Sequence, residues 1–128
     1  MPLDVERVNR DLSLLTAETR ALAVELVQQA RAAGLCVAIF EGWRSADRQN
    51  WLQETGKSKV RADSLAAKHV RGMAVDVVFL NLTGAWTWNA AQTDWDKLGA
   101  IGVALGFRWG GAWQTFKDYP HFEVEEAT

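Results

Sequence analysis

A single acidic residue at the start of an apolar run constrains this chain more than any other feature. Asp76 directly precedes residues 77–80, which are Val, Val, Phe and Leu. A carboxylate in such surroundings is costly to remove from water unless it is paired with a cation or bound to a metal. His69 lies seven residues upstream with Gly72 between them, and glycine together with β-branched residues argues against a helix here. The sequence therefore predicts a turn at Gly72 that returns His69 to the side of Asp76, where a strand begins.

Few residues are available to complete a metal site around this pair. The chain has two histidines, His69 and His121, and one cysteine, Cys36. Two histidines and one aspartate make a three-ligand zinc set that leaves a fourth position open, as catalytic zinc sites require. The alternative is that both histidines are ordinary side chains, one in a loop and the other at a strand end.

Four short motifs resemble those of one enzyme family. They read Gly-Trp-Arg-Ser, His-x-x-Gly-x-Ala-x-Asp, Trp-Gly-Gly and Asp-x-Pro-His-Phe-Glu, and they occupy residues 42–45, 69–76, 109–111 and 118–123. Together they resemble the zinc D,D-carboxypeptidase and L-alanyl-D-glutamate endopeptidase family, whose members cut bacterial peptidoglycan stem peptides and include several bacteriophage endolysins. The resemblance covers residues 15–125. One departure is Ala67, where the family often has serine, and it questions a supporting hydrogen bond but not a metal ligand.

The resemblance implies a role for each polar motif residue. One zinc ion per chain is expected, held by His69, Asp76 and His121. Asp118 is expected to be the general base that takes a proton from water and returns it to the leaving amine. Arg44 is expected to lie against the scissile carbonyl or a substrate carboxylate, where a fixed guanidinium stabilises negative charge. It is therefore expected to act on the substrate and to contribute little to stability.

Four more residues are expected around the site. Trp109 is expected to contact substrate, since aromatic-lined grooves suit peptides and sugars. Lys57 and Lys59, in a basic loop, are expected to meet the carboxylates of a stem peptide, although an ordinary solvated loop explains them equally well. Along the last strand Glu123 shares a face with His121. This places Glu123 near the site as a supporting group without defining its role.

These expectations describe a zinc metallopeptidase that hydrolyses an amide bond in a peptidoglycan stem peptide. Residues 57–68 and 81–91 are the only stretches able to wall the site, and neither is long enough to close a pocket around a C-terminal carboxylate. An internal cut between L-alanine and D-glutamate is therefore favoured, as in the lysis enzyme of a phage or prophage. One alternative is a D,D-carboxypeptidase or dipeptidase of the same family. Another is an inactive, zinc-stabilised wall-binding module, which would need neither Asp118 nor Arg44.

Composition and net charge indicate how the chain is organised and which binding partners are not expected. The chain of 128 residues is expected to form one domain and to act as a monomer, and its net charge of −2 gives no basis for binding nucleic acid or an anionic membrane. A single cysteine excludes an intrachain disulfide, and Cys36 is expected to be buried within the apolar run 35–40. No signal peptide and no membrane span are expected from the sequence. The protein is therefore expected to be made in the cytoplasm and to act on the cell wall after release.

The order of the predicted elements indicates an α+β fold, with about three helices packed on a small, mainly antiparallel sheet that carries the zinc site. Helical spacing of apolar residues, with Thr16 as N-cap and Gly34 after the C-terminus, predicts the first helix. Ser45 is predicted to cap the second helix, and Thr93 or Asp94 the third. The second and third helices are predicted at residues 46–54 and 95–105, and the strands at residues 35–40, 74–80, 85–88, 107–109 and 120–124.

Overall fold

The computed structural model describes residues 5–64 and 66–125, and within them it shows three α-helices and a five-stranded sheet. The helices are α1, Ala17–Ala32; α2, Ala46–Glu54; and α3, Gln92–Leu105. The strands are β1, Val37–Glu41; β2, Ala74–Leu80; β3, Trp86–Thr87; β4, Arg108–Trp109; and β5, His121–Glu123. The α+β class predicted from the sequence is confirmed. None of the helices in these residues is long and apolar enough to cross a membrane.

The first helix, α1, is capped by the residues that the sequence predicts. Thr16 Oγ1 accepts a hydrogen bond from Thr19 N at 3.2 Å, which satisfies one of the N–H groups left free at a helix start. Gly34 follows the helix with φ +88°, a left-handed conformation that glycine adopts without a Cβ clash. Between these caps the helix buries Ala23, Leu26 and Ala30 in the hydrophobic core.

The sheet separates this core from a polar face. Its strand order is β1-β2-β5-β4, with β3 beside β2, and every pair is antiparallel. Because successive side chains of a strand point to opposite faces, β2 sends Val75 and Val77 into the core and Asp76 to the other side. In β5, Phe122 is in the core and His121 shares the face of Asp76. The helix side of the sheet is therefore apolar, and the opposite side is free to carry a site.

Two glycines let α3 lie close against the sheet. A Cβ at Gly99 would fall 2.4 Å from the Trp109 ring, and one at Gly102 would fall 2.4 Å from the Phe122 ring. Real side chains do not tolerate such short contacts, so both positions require glycine. The close packing holds Phe122, and with it the neighbouring His121 on the opposite face of β5.

The fold corrects two predictions. The third helix begins at Gln92, three residues before the predicted start, and its N-cap Ala91 makes no side-chain cap hydrogen bond. Asp94, predicted as a cap, lies inside the first turn, where its carboxylate is stabilised by the positive end of the helix dipole. Cys36 is exposed, because its neighbours Leu35 and Val37 both point into the core and the alternation of an extended chain turns Cys36 to the opposite side.

Candidate metal centre

Asp76, His69 and His121 meet on the polar face of the sheet. Asp76 of β2 pairs with His121 of β5, and His121 Nδ1 lies 3.4 Å from Asp76 Oδ1. The turn at Gly72, with φ +71°, brings His69 Nε2 to 3.3 Å from the same oxygen. Ligand atoms from the three residues all lie within 4.8 Å of one another. The structure thus brings together the three residues that the sequence predicts as metal ligands.

Each histidine is oriented by a hydrogen bond from its other ring nitrogen. His69 Nδ1–H donates to the backbone oxygen of Gly42 at 2.8 Å, and His121 Nε2–H donates to Glu123 Oε1 at 2.7 Å. When the imidazoles are neutral, these partners set the tautomers so that the lone pairs of His69 Nε2 and His121 Nδ1 face Asp76. Metal-binding histidines are held by backbone carbonyls or carboxylates in this way. Glu123, whose role the sequence left undefined, lies directly behind His121.

The space between these ligand atoms fits a cation. Asp76 Oδ1 is buried and has no hydrogen-bond partner among the described residues. In a tetrahedral zinc site with ligand distances of about 2.0–2.1 Å, neighbouring ligand atoms are about 3.3–3.4 Å apart. The separations of Asp76 Oδ1 from His69 and His121, 3.3 and 3.4 Å, match that spacing. Two imidazoles and one carboxylate are also a donor set that zinc favours.

The electrostatics of the site favour a cation as well. Burial raises the pKa of Asp76, but the adjacent His69 and His121 outweigh this effect and hold the pKa well below its usual range. Burial lowers the pKa of His121, whereas its contacts with Asp76 and Glu123 raise it to about 9. A metal ion would therefore compete with a proton for His121 near neutral pH, and its binding would release that proton.

Asp118 lines the same cleft as the three candidate ligands. Solvent reaches its side chain, but the cleft walls remove part of its hydration, and this desolvation, followed by the charge of Asp76, raises the pKa of Asp118. Asp118 N donates to Gly110 O at 3.0 Å, and a Cβ at Gly110 would lie 2.3 Å from Asp118 O. The Trp-Gly-Gly motif therefore holds Asp118 in place, because only glycine permits this contact.

A β-bulge brings into the site a carboxylate that the sequence analysis missed. The register between β1 and β2 shifts between Ile39 and Glu41. As a result Ile39 packs against the core, whereas Glu41 pairs with Asp76 and faces the polar side. Such bulges commonly re-aim a side chain beside a functional site. The predicted strand 35–40 stops one residue before Glu41, which was visible in the sequence as an acidic residue directly after an apolar run.

Glu41 holds Arg44 and Arg48 in a buried ion-pair network. Arg44 donates from Nη2 to Glu41 Oε1 at 2.7 Å and from Nε to Oε2 at 3.2 Å, and its Nη1 donates to Gln49 Oε1 at 2.9 Å. Arg48 Nε donates to Glu41 Oε2 at 2.6 Å. Burial raises the pKa of Glu41, but the hydrogen bonds and charges of the two arginines outweigh this effect, so the pKa of Glu41 is lowered overall.

Arg44 also lines the cleft, with Nη2 3.6 Å from Asp76 Oδ2. Its buried ion-pair network argues against the expectation that Arg44 contributes little to stability, because removing one partner of a buried ion pair is destabilising.

Arg44→Ala is expected to lower the free energy of unfolding by about 3–5 kcal/mol, the cost of removing one partner from a buried ion pair. Urea unfolding followed by tryptophan fluorescence measures this change. Arg61→Ala is the matched control, because Arg61 pairs with Glu54 in an exposed contact of 3.5 Å and its loss is expected to cost less than about 1 kcal/mol. Equal unfolding midpoints for the two variants would show that the buried network does not support the fold.

The candidate ligands open onto a cleft of about 910 Å³. Lys57 and Lys59 line it, where the sequence analysis expects them to meet substrate. Lys68, Arg108 and Lys117 also line it, although no motif distinguished them beforehand. Basic side chains from several separate segments therefore surround the cleft, an arrangement that attracts an acidic ligand.

Trp109 lies outside this cleft, which corrects the expectation that it contacts substrate. In β4, Arg108 points to the polar face, whereas Trp109 pairs with Phe122 and packs against the core. The strand alternation that brings Arg108 to the cleft therefore turns Trp109 away from it. An aromatic ring is supplied instead by Trp113, which lines the cleft with its centroid 5.2 Å from that of His121.

The fold and the site together define a class: a small α+β domain whose sheet carries a candidate single-metal centre on the floor of a cleft. The chain belongs to the D-alanyl-D-alanine carboxypeptidase family, whose model matches residues 61–124, half of the chain. The match includes the three candidate metal ligands and Asp118, whereas Arg44 lies before it. The family resemblance predicted from the motifs is confirmed.

The names of individual relatives state a more specific activity than the family description does. The peptidoglycan L-alanyl-D-glutamate endopeptidase CwlK of Bacillus subtilis is 34% identical over 103 residues, which are 71% of this chain and 62% of the relative. The L-alanyl-D-glutamate peptidase of Listeria phage A118 is 30% identical over 114 residues, which are 88% of this chain and 39% of the relative. The chain thus spans less than two thirds of the length of either relative. Among solved structures, the Serratia marcescens L-Ala D-Glu endopeptidase ChiX matches with a TM-score of 0.64 and 26% identity, covering 95% of this chain and 84% of ChiX.

Proposed function

We propose that this chain is a zinc-dependent peptidase that hydrolyses the bond between L-alanine and D-glutamate in peptidoglycan stem peptides. The observation that carries the proposal is the convergence of His69 Nε2 and His121 Nδ1 on a buried oxygen of Asp76 that lacks a hydrogen-bond partner in the described part of the chain. The activities by which CwlK, the phage A118 peptidase and ChiX are named supply the substrate and the bond. The protein is proposed to act on the cell wall as a monomer.

His69, Asp76 and His121 would hold one zinc ion. When bound, zinc supplies a Lewis acid that polarises a carbonyl and lowers the pKa of water to roughly 7. The backbone oxygen of Gly42 and the carboxylate of Glu123 keep each imidazole in the orientation and tautomer that a ligand requires. Groups placed behind metal ligands in this way raise the affinity for the ion, which gives Glu123 a positioning role.

Asp118 would carry the proton during hydrolysis. The attacking water gives one proton to a carboxylate oxygen of Asp118 while its own oxygen bonds to the amide carbon. When the carbon–nitrogen bond breaks, Asp118 returns that proton to the leaving amine of D-glutamate, so the carboxylate is regenerated. Because its pKa is raised, Asp118 gives up the proton at a higher pH than an ordinary aspartic acid would.

Arg44 would stabilise the negative charge that develops on the amide oxygen. Three of its five N–H groups donate to Glu41 and Gln49, so the network fixes the guanidinium and leaves two N–H groups outside these bonds. Arg44 lines the cleft, with Nη2 3.6 Å from Asp76 Oδ2. A donor that is already fixed needs no rearrangement in the transition state, which is the condition for effective charge stabilisation.

The cleft suits an acidic peptide that enters and leaves it. Lys57 and Lys59 line its wall and would meet the carboxylates of D-glutamate and of the residues that follow it. Residues 113 and 115–118 also wall the cleft, in addition to the two stretches predicted from the sequence. The internal cut proposed here requires that a cross-linked stem peptide continue past both ends of the cleft, whereas removal of a terminal residue does not.

Mass spectrometry of purified peptidoglycan after digestion tests the assignment of the bond. The expected products are stem peptides with a new N-terminal glutamate, released from glycan that keeps L-alanine. Release of D-alanine with the L-alanyl-D-glutamate bond intact would instead identify a carboxypeptidase, the activity that the family description names. If zinc-loaded protein produces no new terminus, the result would instead support the inactive wall-binding module. Asp118→Asn protein prepared in parallel controls for contaminating hydrolases.

A further inference from the structure

Three aromatic side chains form an exposed cluster beside the candidate metal centre. Phe40 lies at the bulge in β1, and Trp86 and Trp88 come from β3 and the residue that follows it. The Phe40 ring meets Trp86 and Trp88 edge-on, with centroids 5.6 and 4.8 Å apart. Trp86 is 44% exposed and Trp88 47%, and all three residues lie outside the hydrophobic core. We call this group the aromatic cluster. An exposed apolar patch next to a cleft is typical of a binding surface.

The strand register places the aromatic cluster along β2 from the metal centre. Phe79 pairs with both β1 and β3, and Asp76 pairs with both β1 and β5. Hence β3 and β5 share the edge of β2 that faces away from β1. Because Thr87 lies opposite Phe79, Trp88 comes next to the position two residues beyond Asp76. At about 3.4 Å per residue, the side chain of Trp88 lies roughly 7 Å from Asp76 along the strand.

The two sides of the metal centre differ in chemistry. Toward the start of β2, Arg108 of β4 pairs with Glu123, and the side chains of Arg108 and Lys68 line the cleft. On the other side the cleft is lined by Phe40 and Trp88. Arg10 lies over the Trp86 ring at 4.3 Å and over the Phe40 ring at 5.4 Å, whereas Trp88 is half exposed and lines the cleft. A ligand that lies along β2 therefore meets basic side chains at one end and the Trp88 ring at the other.

We propose that the aromatic cluster binds the sugar ring to which the stem peptide is attached. The inference rests on the proposed function, because in a peptide cut after L-alanine the amine of that alanine is joined through a lactyl group to an N-acetylated sugar of the glycan. The carboxylates lie on the opposite, D-glutamate side of the bond. A sugar ring carries no charge on its C–H faces, and those faces stack on exposed tryptophan rings, which are apolar and rigid. The stem peptide thus runs with its sugar over Trp88 and its acidic residues toward Lys68 and Arg108.

The spacing agrees with this direction. One extended residue spans about 3.3–3.6 Å, so alanine and the lactyl link together span roughly the 7 Å that separates Asp76 from Trp88 along β2. A Trp88 contact therefore falls on the sugar and not on the peptide. The aromatic cluster would select substrates still joined to glycan over free peptides.

Two soluble substrates that differ only in the sugar test this inference: an N-acetylmuramyl pentapeptide, and the same pentapeptide with an N-lactyl group in place of the whole muramyl group. Trp88→Ala is expected to lower kcat/KM about tenfold for the first substrate, equivalent to about 1.4 kcal/mol and within the range for an aromatic contact. The value for the second substrate should not change. Trp88→Phe keeps an aromatic face and should recover most of the loss. Leu82→Ala, on the same hairpin and fully exposed, should alter neither value.

Equal losses with both substrates, or no loss with either, would overturn the sugar contact. Wild-type protein that cuts neither substrate would refute the proposed function separately. Calorimetric binding of N-acetylmuramyl-L-alanine then decides the role of the aromatic cluster without any need for catalysis. Weaker binding by Trp88→Ala than by wild type supports the inference, and equal binding, or none by wild type, overturns it. Thermal midpoints of all variants, compared beforehand, verify that they are folded.

Discussion

His121→Ala protein is expected to lose zinc and peptidase activity together. The substitution removes one of the three candidate ligand atoms, which are His69 Nε2, Asp76 Oδ1 and His121 Nδ1. Two ligands cannot form the three-residue set of a catalytic zinc site. Loss of a group behind a ligand alone costs 10- to 100-fold in affinity, so removal of the ligand itself is expected to weaken zinc binding by more than about 100-fold. Elemental analysis of the purified protein and a peptidoglycan digestion assay measure the two effects.

Glu123→Gln is the matched control for this variant. It keeps all three ligand atoms and replaces only the carboxylate that accepts from His121 Nε2 at 2.7 Å. Its zinc affinity is expected to fall about 10- to 100-fold, so activity should return when zinc is added in excess. Activity of His121→Ala that is also restored by excess zinc would contradict the assignment of His121 as a ligand.

Asp118→Asn is expected to keep its zinc while turnover falls by roughly 10²- to 10⁴-fold, the contribution of general acid–base catalysis. The amide has nearly the same shape as the carboxylate but cannot accept the proton of water. The backbone contact with Gly110, which involves the amide nitrogen of Asp118, is not altered by the change. Single-turnover kinetics with metal-loaded protein measure the loss, and metal content measured on the same sample excludes a ligand effect. Loss of the metal in this variant would make Asp118 a ligand and would contradict its assigned role.

The same residue is expected to set the acid side of the pH–activity profile. Asp118 must be ionised to accept a proton, so kcat/KM falls as the pH drops through its pKa. Desolvation in the cleft and the charge of Asp76 raise that pKa above the ordinary aspartate value of 3.8. The midpoint of the acid limb in the wild-type profile of kcat/KM should therefore lie above pH 3.8. The residual activity of Asp118→Asn should show no such acid limb. A limb that persists in the variant would assign the titration to another group.

The metal centre was accessible to sequence reasoning because its signals are local. A carboxylate before a β-branched run, a glycine that allows a sharp turn and a second histidine in the last strand are each visible in the printed residues. The turn at Gly72 and the proximity of His69 to Asp76 follow from those signals. The pairing of Asp76 with His121 needed only the added assumption that the two strands are neighbours.

The remaining parts of the site depend on strand geometry that a sequence does not display. Glu41 reaches the polar face only because one extra residue bulges out of β1, and without that bulge it would share the core face of Ile39. Arg44 was predicted beside the site, but its contribution to stability depends on Glu41 and could not be recognised before the bulge was seen. Trp109 was assigned to the cleft from its motif, whereas the alternation of a two-residue strand turns it to the core and leaves Trp113 beside His121.

Zinc titration of chelator-treated wild-type protein tests the metal centre most directly. The site described by His69, Asp76 and His121 predicts that the stripped protein is inactive and still folded. It also predicts that L-alanyl-D-glutamate cleavage rises in proportion to added zinc and levels off at one equivalent per chain. Full activity in protein shown by elemental analysis to contain no metal, or a requirement for two equivalents, would contradict a single catalytic zinc held by these three residues.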